Sequence, residues 1–190
     1  LNGLASRPRR WLEACSFKGA LGQVVVLPGE TGAPVGAVFG MGSALTRSRG
    51  RFHLAQAAAV LPEGVWHLEG NLSPEEAEEA ALAWALSSYR FDRYKTAKPQ
   101  RAMLKLPASV NEARIKAIAA GEFLTRDLIN MPASDMSPIE LEAAARSMAR
   151  EFGASCEVII GEDLIAQNFP MIHAVGRAST RAARLIDLRW

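Results

Sequence analysis

The sequence predicts an α/β protein in two parts, and three observations carry that prediction. Short β-branched runs alternate with capped helical patterns along the whole chain. A proline-free helical pattern from Ser109 to Pro132 divides them, long enough to link two domains. The 190 residues, 49% apolar and 22% charged, suffice for a real core and fit an ordinary globular composition.

In order, Val24-Val25-Val26-Leu27 reads as a strand, Pro28-Gly29-Glu30-Thr31-Gly32 as a turn, and Val35 to Phe39 as a returning strand. Phe52 to Leu61 is alanine-rich and stops at Pro62-Glu63-Gly64, a helix. Val65 to Glu69 is the next strand. At Ser73-Pro74-Glu75-Glu76 the serine caps, proline takes the first helical position, and Glu76 completes a capping box. This helix is expected to reach about Tyr89 and to bury Leu82, Trp84 and Leu86 with its alanines. Arg101 to Leu106 is a short strand ended by Pro107.

Ser109-Val110-Asn111-Glu112 repeats the capping-box spacing and opens the long pattern. At about 1.5 Å per residue it would reach on the order of 30 Å. Ser137-Pro138-Ile139-Glu140 starts another helix, with Leu141, Ala145, Met148 and Phe152 on one face and Gly153 as its stop. Strands are then expected at Val158–Ile160 and Met171–Val175, a short helix at Glu162–Gln167 between them, and a last strand ending near Trp190.

Charge excludes little but is informative. The net charge is +2 and both halves mix their signs evenly, so no polyanionic partner is expected. The longest uncharged stretch, Thr31 to Thr46, is broken by glycines and a proline, so no membrane span is expected. Cys15 and Cys156 are too few for a disulfide framework; they read as small core residues in a reducing cytoplasm. The first residues lack the pattern of a signal peptide. Without an initiator Met, and with a closing run that resembles a strand left open, the chain reads as a fragment.

No constellation of residues supplies an active site. Gly40-Met41-Gly42 follows a strand, but Leu45 stands where the dinucleotide fingerprint needs a small residue, so a tight turn is the better reading. His53, His67 and His173 are too dispersed for a local ligand pair. Tyr89-Arg90-Phe91-Asp92-Arg93-Tyr94-Lys95 interleaves aromatics and bases. Either it stacks on single-stranded nucleic acid, or it closes a helix C-terminus with cations and leads into a linker. Without a wider basic excess the second reading is preferred. Asp127 and Asp135 flank the junction and read as ion-pair and turn residues.

Several stretches, taken in order, resemble the leucyl (cytosol) aminopeptidase family. They are Gly22 to Gly29, Tyr89 to Lys95, and Arg126-Asp127-Leu128-Ile129-Asn130-Met131-Pro132-Ala133. To these are added Gly161-Glu162, Asn168 to Ser179, and Arg184-Leu185-Ile186-Asp187-Leu188. The resemblance covers nearly the whole chain from Trp11. It implies an N-terminal macro-like mixed-sheet domain over residues 1–108, a connecting helix over 109–131, and the first βαβ-type elements of an incomplete α/β catalytic domain over 132–190.

It also implies an enzyme, a cytoplasmic and hexameric two-metal hydrolase. Its zinc or manganese ions would hold the free amine and scissile carbonyl of a peptide and activate a bridging water. A second lysine and an arginine-bound bicarbonate would assist. The family's ligands lie in a Lys-Gly motif whose lysine precedes an aspartate by five residues, and in an Asn-Thr-Asp-Ala-Glu-Gly-Arg run. Here the one Lys-Gly is Lys18-Gly19, and Gln23 stands five residues after Lys18. The residues two after Asp92, Asp127, Asp135, Asp163 and Asp187 are Tyr94, Ile129, Ser137, Ile165 and Arg189, never Glu. Catalytic, metal and cofactor-binding residues are therefore expected to be none in this segment, which alone would be inactive. The alternatives are a macro-like module for a nucleotide or ADP-ribose, with Gly40-Met41-Gly42 as its loop, and a non-catalytic assembly domain.

Overall fold

The structure, a computed structural model, describes residues 5–190. The chain divides into two compact units, one running to Leu124 and the other from Thr125 to Trp190.

The first unit opens with a helix that sequence patterning missed, α1 (Ser6–Ala14). Leu12 on it is fully buried. Its polar contacts reach the following hairpin: Trp11 Nε1 donates to Val26 O at 3.0 Å, and Arg7 Nη2 to Gly29 O at 3.2 Å. Strands β1 (Val24–Pro28) and β2 (Pro34–Phe39) form the expected antiparallel pair, from Val24 opposite Phe39 to Leu27 opposite Gly36. A four-residue helix, α2 (Ala44–Arg47), was also missed; Ser43 and Thr46 cap it reciprocally.

Next come α3 (Ala55–Val60), β3 (Gly64–His67), α4 (Pro74–Ser87) and β4 (Ala102–Lys105). Strands β3 and β4 run parallel, Gly64 opposite Ala102 and His67 opposite Lys105, with α4 in the crossover between them. The Ser73 capping box is made as expected: its Oγ accepts from Glu76 N–H at 3.2 Å, and the Glu76 carboxylate accepts from Ser73 N–H at 2.9 Å. Leu82 and Leu86 are only half-buried, because α4 turns its alanines inward. Ala77, Ala81 and Ala83 let neighbouring backbone approach, while Trp84 fills the centre. Around Trp84 pack Ala57, Ala58 and Ala102, with Phe39, Leu54, Trp66 and Leu104 at the margin. Its indole N–H donates to Ala102 O at 3.0 Å, so the largest core side chain leaves no polar atom unpaired.

Helix α5 (Glu112–Asn130) is the long pattern, and the boundary between units falls inside it. Its cap differs from expectation. Asn111 accepts from Arg114 N–H at 3.0 Å, so the start lies two residues after the Ser109 that the spacing suggested. Asn is as good an Ncap as Ser, and its own side chain decides the register. Ile115 and Ala119 are buried, and Arg114 Nε pairs with Glu78 of α4 at 2.7 Å.

The second unit begins with the end of α5. Helix α6 (Pro138–Phe152) follows a turn in which the N–H groups of Asp135 and Met136 both donate to Pro132 O at 2.9 Å. Gly153 ends α6 at φ +68°, the left-handed conformation glycine adopts without steric cost. Then come β5 (Ser155–Ile160), α7 (Asp163–Ala166), α8 (Pro170–Gly176) and β6 (Arg184–Arg189).

Two expectations are corrected here. Met171–Val175 is helical. A five-residue apolar run suits either state, and Pro170 in the first helical position, its φ preset for a helix, decides it. Strands β5 and β6 pair antiparallel, Ile160 opposite Arg184 and Ser155 opposite Arg189, so this unit lacks the expected βαβ order. Two short helices return the chain to the end of β5 that it left, and only a reversed strand can pair from there. The return is tight. A Cβ on Gly176 would lie 2.2 Å from the Ala183 Cβ, and Gly161 N–H donates to Ala183 O at 2.9 Å.

Candidate functional site

A cluster of capping and ionic contacts lies in the second unit, at the start of α6. Ser137 is buried, and its capping box is complete: its Oγ accepts from Ile139 N–H at 3.2 Å, and Glu140 accepts from Ser137 N–H at 2.9 Å. The Ser137 hydroxyl also donates to Glu140, and Arg181 Nη1 lies 3.5 Å from the same carboxylate. One turn on, Glu142 is held between Arg146 Nε at 2.8 Å and Arg184 Nε at 2.5 Å. The Glu142 and Arg184 side chains are only 15% and 12% exposed.

Both carboxyls therefore sit below the usual carboxylate range. The Arg146 and then Arg184 hydrogen bonds lower Glu142, and the Ser137 side chain and then its backbone N–H lower Glu140. Groups held ionised in this way tie helix to strand. They are poorly placed to exchange protons near neutrality.

Beside this ionic wall runs an open groove of about 650 Å³. Its apolar walls include Met136, Leu141, Met171, Ile172, Val175 and Ile186, and Ser137, Ser179, Arg181 and Arg184 line it as well.

The other residues weighed in the sequence are scattered. Gly42 N–H donates to Gly19 O at 2.9 Å, and Arg47 Nη1 donates to Met41 O at 3.1 Å and Gly42 O at 3.2 Å. A Cβ on Gly40 would lie 2.0 Å from Ala20 O, so close backbone approach explains that glycine. The stretch is an irregular connection between β2 and α2, bonded to residues 19 and 23 instead of closing the tight turn expected of it. His53 Nε2 meets Arg47 O at 3.2 Å, His67 meets Glu69 at 2.9 Å, and His173 meets Glu162 at 3.2 Å. Cys156 is half-buried, whereas Cys15 is exposed just beyond α1, correcting the core reading for it. Asp127 lies in the last turns of α5, and Asp135 in the turn before α6.

The aromatic and basic run closes α4: Arg90 Nη1 donates to Ser87 O at 2.8 Å, and its Nε to Lys98 O at 3.0 Å. Tyr89 packs on Phe123 with ring centroids 5.3 Å apart. One functional-looking clamp escaped sequence reading. Glu79 accepts from Arg51 Nε at 3.0 Å and from Phe52 N–H at 3.1 Å, holding Phe52 at φ +60°. Partners 27 and 28 residues apart leave no local signal.

Among the described residues, no three His, Cys, Asp or Glu side chains converge to hold a metal ion. The residues present do not fit a metal pair, and no step can be built on one. Among them too, no helix is long and apolar enough to cross a membrane.

Two compact α/β units, with α5 running from the first into the second, define the class of the protein as mixed α/β with small sheets. Residues 1–107 match the family model of the M17 aminopeptidase N-terminal domain, and residues 123–190 that of the cytosol aminopeptidase family catalytic domain. The chain belongs to the cytosol aminopeptidase (M17) family.

A probable cytosol aminopeptidase of Syntrophotalea carbinolica is 33% identical over 165 residues, covering 78% of this chain and 29% of that protein. The crystal structure of the cytosol aminopeptidase from Coxiella burnetii superposes with a TM-score of 0.88 at 35% identity, covering all of this chain and 40% of that one. The bottromycin maturation enzyme BotP, solved in complex with Mn, gives 0.76 at 27% identity over 98% of this chain and 42% of its own. The chain thus spans less than half the length of each.

Proposed function

We propose that these residues are the N-terminal portion of a metal-dependent aminopeptidase that removes N-terminal residues from peptides, with the leucine-type preference of its family. In this reading residues 1–108 form a macro-like accessory domain, 109–131 the connecting helix, and 132–190 the opening of the catalytic domain. The observation that carries it is the pair of domain matches in order, over residues 1–107 and 123–190, the second beginning inside α5, supported by the superposition on the Coxiella burnetii enzyme.

Two divalent ions, zinc or manganese, would be bound by residues outside this segment. The Mn complex of BotP supports that class of metal. When bound, such ions supply Lewis-acid activation of water and carbonyl. The 190 residues would contribute the scaffold: the Trp84-centred core, and the α6–β6 clamp of Glu142 and Arg184. The whole enzyme is proposed to be a cytoplasmic homo-hexamer.

Two measurements test this reading. The purified 190-residue chain with manganese or zinc is expected to leave a leucine anilide uncleaved above a metal-only blank; turnover would refute its inactivity. A chimera joining this chain to the C-terminal remainder of the Coxiella burnetii enzyme is expected to cleave the anilide in a chelator-sensitive way. A folded chimera without that activity would refute the aminopeptidase reading. The nucleotide-binding alternative has no support from the Gly40–Gly42 loop, whose Gly42 N–H and whose Met41 and Gly42 carbonyls are already paired within the protein.

A further inference from the structure

The connection between α2 and α3 holds a residue in a conformation its side chain disfavours. Phe52 has φ +60°, the left-handed region in which a Cβ crowds the following carbonyl. Glycine enters that region freely, and Gly50 stands two residues away, yet the strain falls on a phenylalanine. The hold comes from α4. Glu79 accepts from Phe52 N–H at 3.1 Å with one carboxylate oxygen, and from Arg51 Nε and Nη2, both at 3.0 Å, with the other. The Arg51 guanidinium also lies over the Phe52 ring, 5.1 Å from its centroid. On one side of this contact Ser48, Arg49, Gly50 and Arg51 are exposed; on the other, Leu54 packs on the Trp84 core. Glu79 therefore fixes a stretch with little burial of its own, and such stretches open at lower free energy than a core.

Charge decides how firmly the stretch is fixed. Arg51 and His53 face Glu79 from the connection. Its acidic neighbours on α4 are engaged elsewhere: Glu75 and Glu76 at Ser73, Glu78 with Arg114. Partial burial would raise the Glu79 carboxyl, but the Phe52 N–H, the bond and charge of Arg51, and His53 outweigh it and hold it below the ordinary carboxylate range. We propose that Glu79 is the latch of a strained hinge: while charged it keeps the α2–α3 connection closed, and once neutral it lets Phe52 leave the left-handed region and the connection open while the Trp84 core stays folded. A neutral carboxyl loses its charge-assisted bonds to Arg51 and to Phe52 N–H, and the strain then drives Phe52 back to negative φ. The latch holds above the unfolded value of about 4.3 and is released as pH falls through the lower folded value.

The test reads hydrogen exchange, corrected for its intrinsic pH dependence, at two amides whose bonds do not involve Glu79. Ala55 N–H donates to Phe52 O at 3.1 Å and Gln56 N–H to His53 O at 3.2 Å, so both report the turn that Phe52 opens. In the 190-residue chain at pH 7, Glu79→Ala is expected to raise their exchange by about tenfold. In a Phe52→Gly background, where no strain remains to be released, Glu79→Ala is expected to change it by less than about threefold. Phe52→Asn, which keeps a side chain and tolerates the left-handed region, is expected to behave like Phe52→Gly. As pH falls, opening of the unmutated connection is expected to grow by up to about tenfold per pH unit once Glu79 protonates, and this growth is expected to be absent in Glu79→Gln. Throughout, the α4 amides around Trp84 are expected to stay protected. Equal effects of Glu79→Ala with and without Phe52→Gly would overturn the proposal. So would unchanged exchange in Glu79→Ala, or loss of α4 protection together with that of Ala55 and Gln56, since the connection would then open only with the core.

Discussion

The two units secure their elements in different ways. Among its described residues, the first buries apolar side chains on four of its helices and a strand: Leu12, Ala57 and Ala58, Ala77, Ala81, Ala83 and Trp84, Ile115 and Ala119, with Ala102 bonded to the indole. Among the described residues of the second, the buried apolar side chains are Ala149 and Leu164. That unit relies instead on directional contacts, namely a complete capping box at Ser137, a glycine stop at Gly153 and the Glu142 clamp. Close packing makes a unit stable by itself. Caps and ion pairs specify where elements go but contribute less, and part of their contribution depends on pH.

The strongest way to break this comparison is Trp84→Ala. It removes the centre of the first core and leaves the Ala102 carbonyl without its donor, at a cost of about 3–5 kcal/mol. Hydrogen exchange is expected to show protection collapsing in α3, α4 and β4 while α6 is little changed. Loss of both together would mean that the units do not fold separately.

A smaller effect tests the clamp. Glu142 has a lower pKa folded than unfolded, so its contribution is present above the unfolded value of about 4.3 and is lost as pH falls through the lower folded value. Glu142→Gln is expected to lower the urea midpoint of the second unit at pH 7, and the deficit is expected to shrink towards pH 3. A deficit independent of pH would assign Glu142 a packing role instead.

The smallest effect sharpens the boundary. Gly121 lies inside α5, and a Cβ there would meet nothing within 4 Å. Gly121→Ala is expected to stabilise α5 by about 0.5–1 kcal/mol, read as slower amide exchange around it. Destabilisation would show that this glycine serves a bend.

Where structure is specified by neighbours in the chain, it was legible. The Ser73 and Ser137 capping boxes, the Pro28–Gly32 turn and the Gly153 stop each follow from residues within a few positions, and each is observed. The α1 helix was not legible. Its sequence, Ser6-Arg7-Pro8-Arg9-Arg10-Trp11, buries mainly Leu12 and is held by side-chain donors on the β1 hairpin. The state of Met171–Val175 was misread because periodicity cannot separate a short apolar strand from a short helix.

By itself, then, the sequence determined the alternation of strands and helices, the long α5, its family and the domain order, because caps, turns and motif spacing are local properties. Only the tertiary structure decided that Leu82 and Leu86 of α4 stay half-buried beside its buried alanines and Trp84, that β6 returns antiparallel beside β5, and that Arg184 meets Glu142 from 42 residues away. Each of these depends on which surfaces meet after the chain has turned back on itself. No window of sequence contains that information.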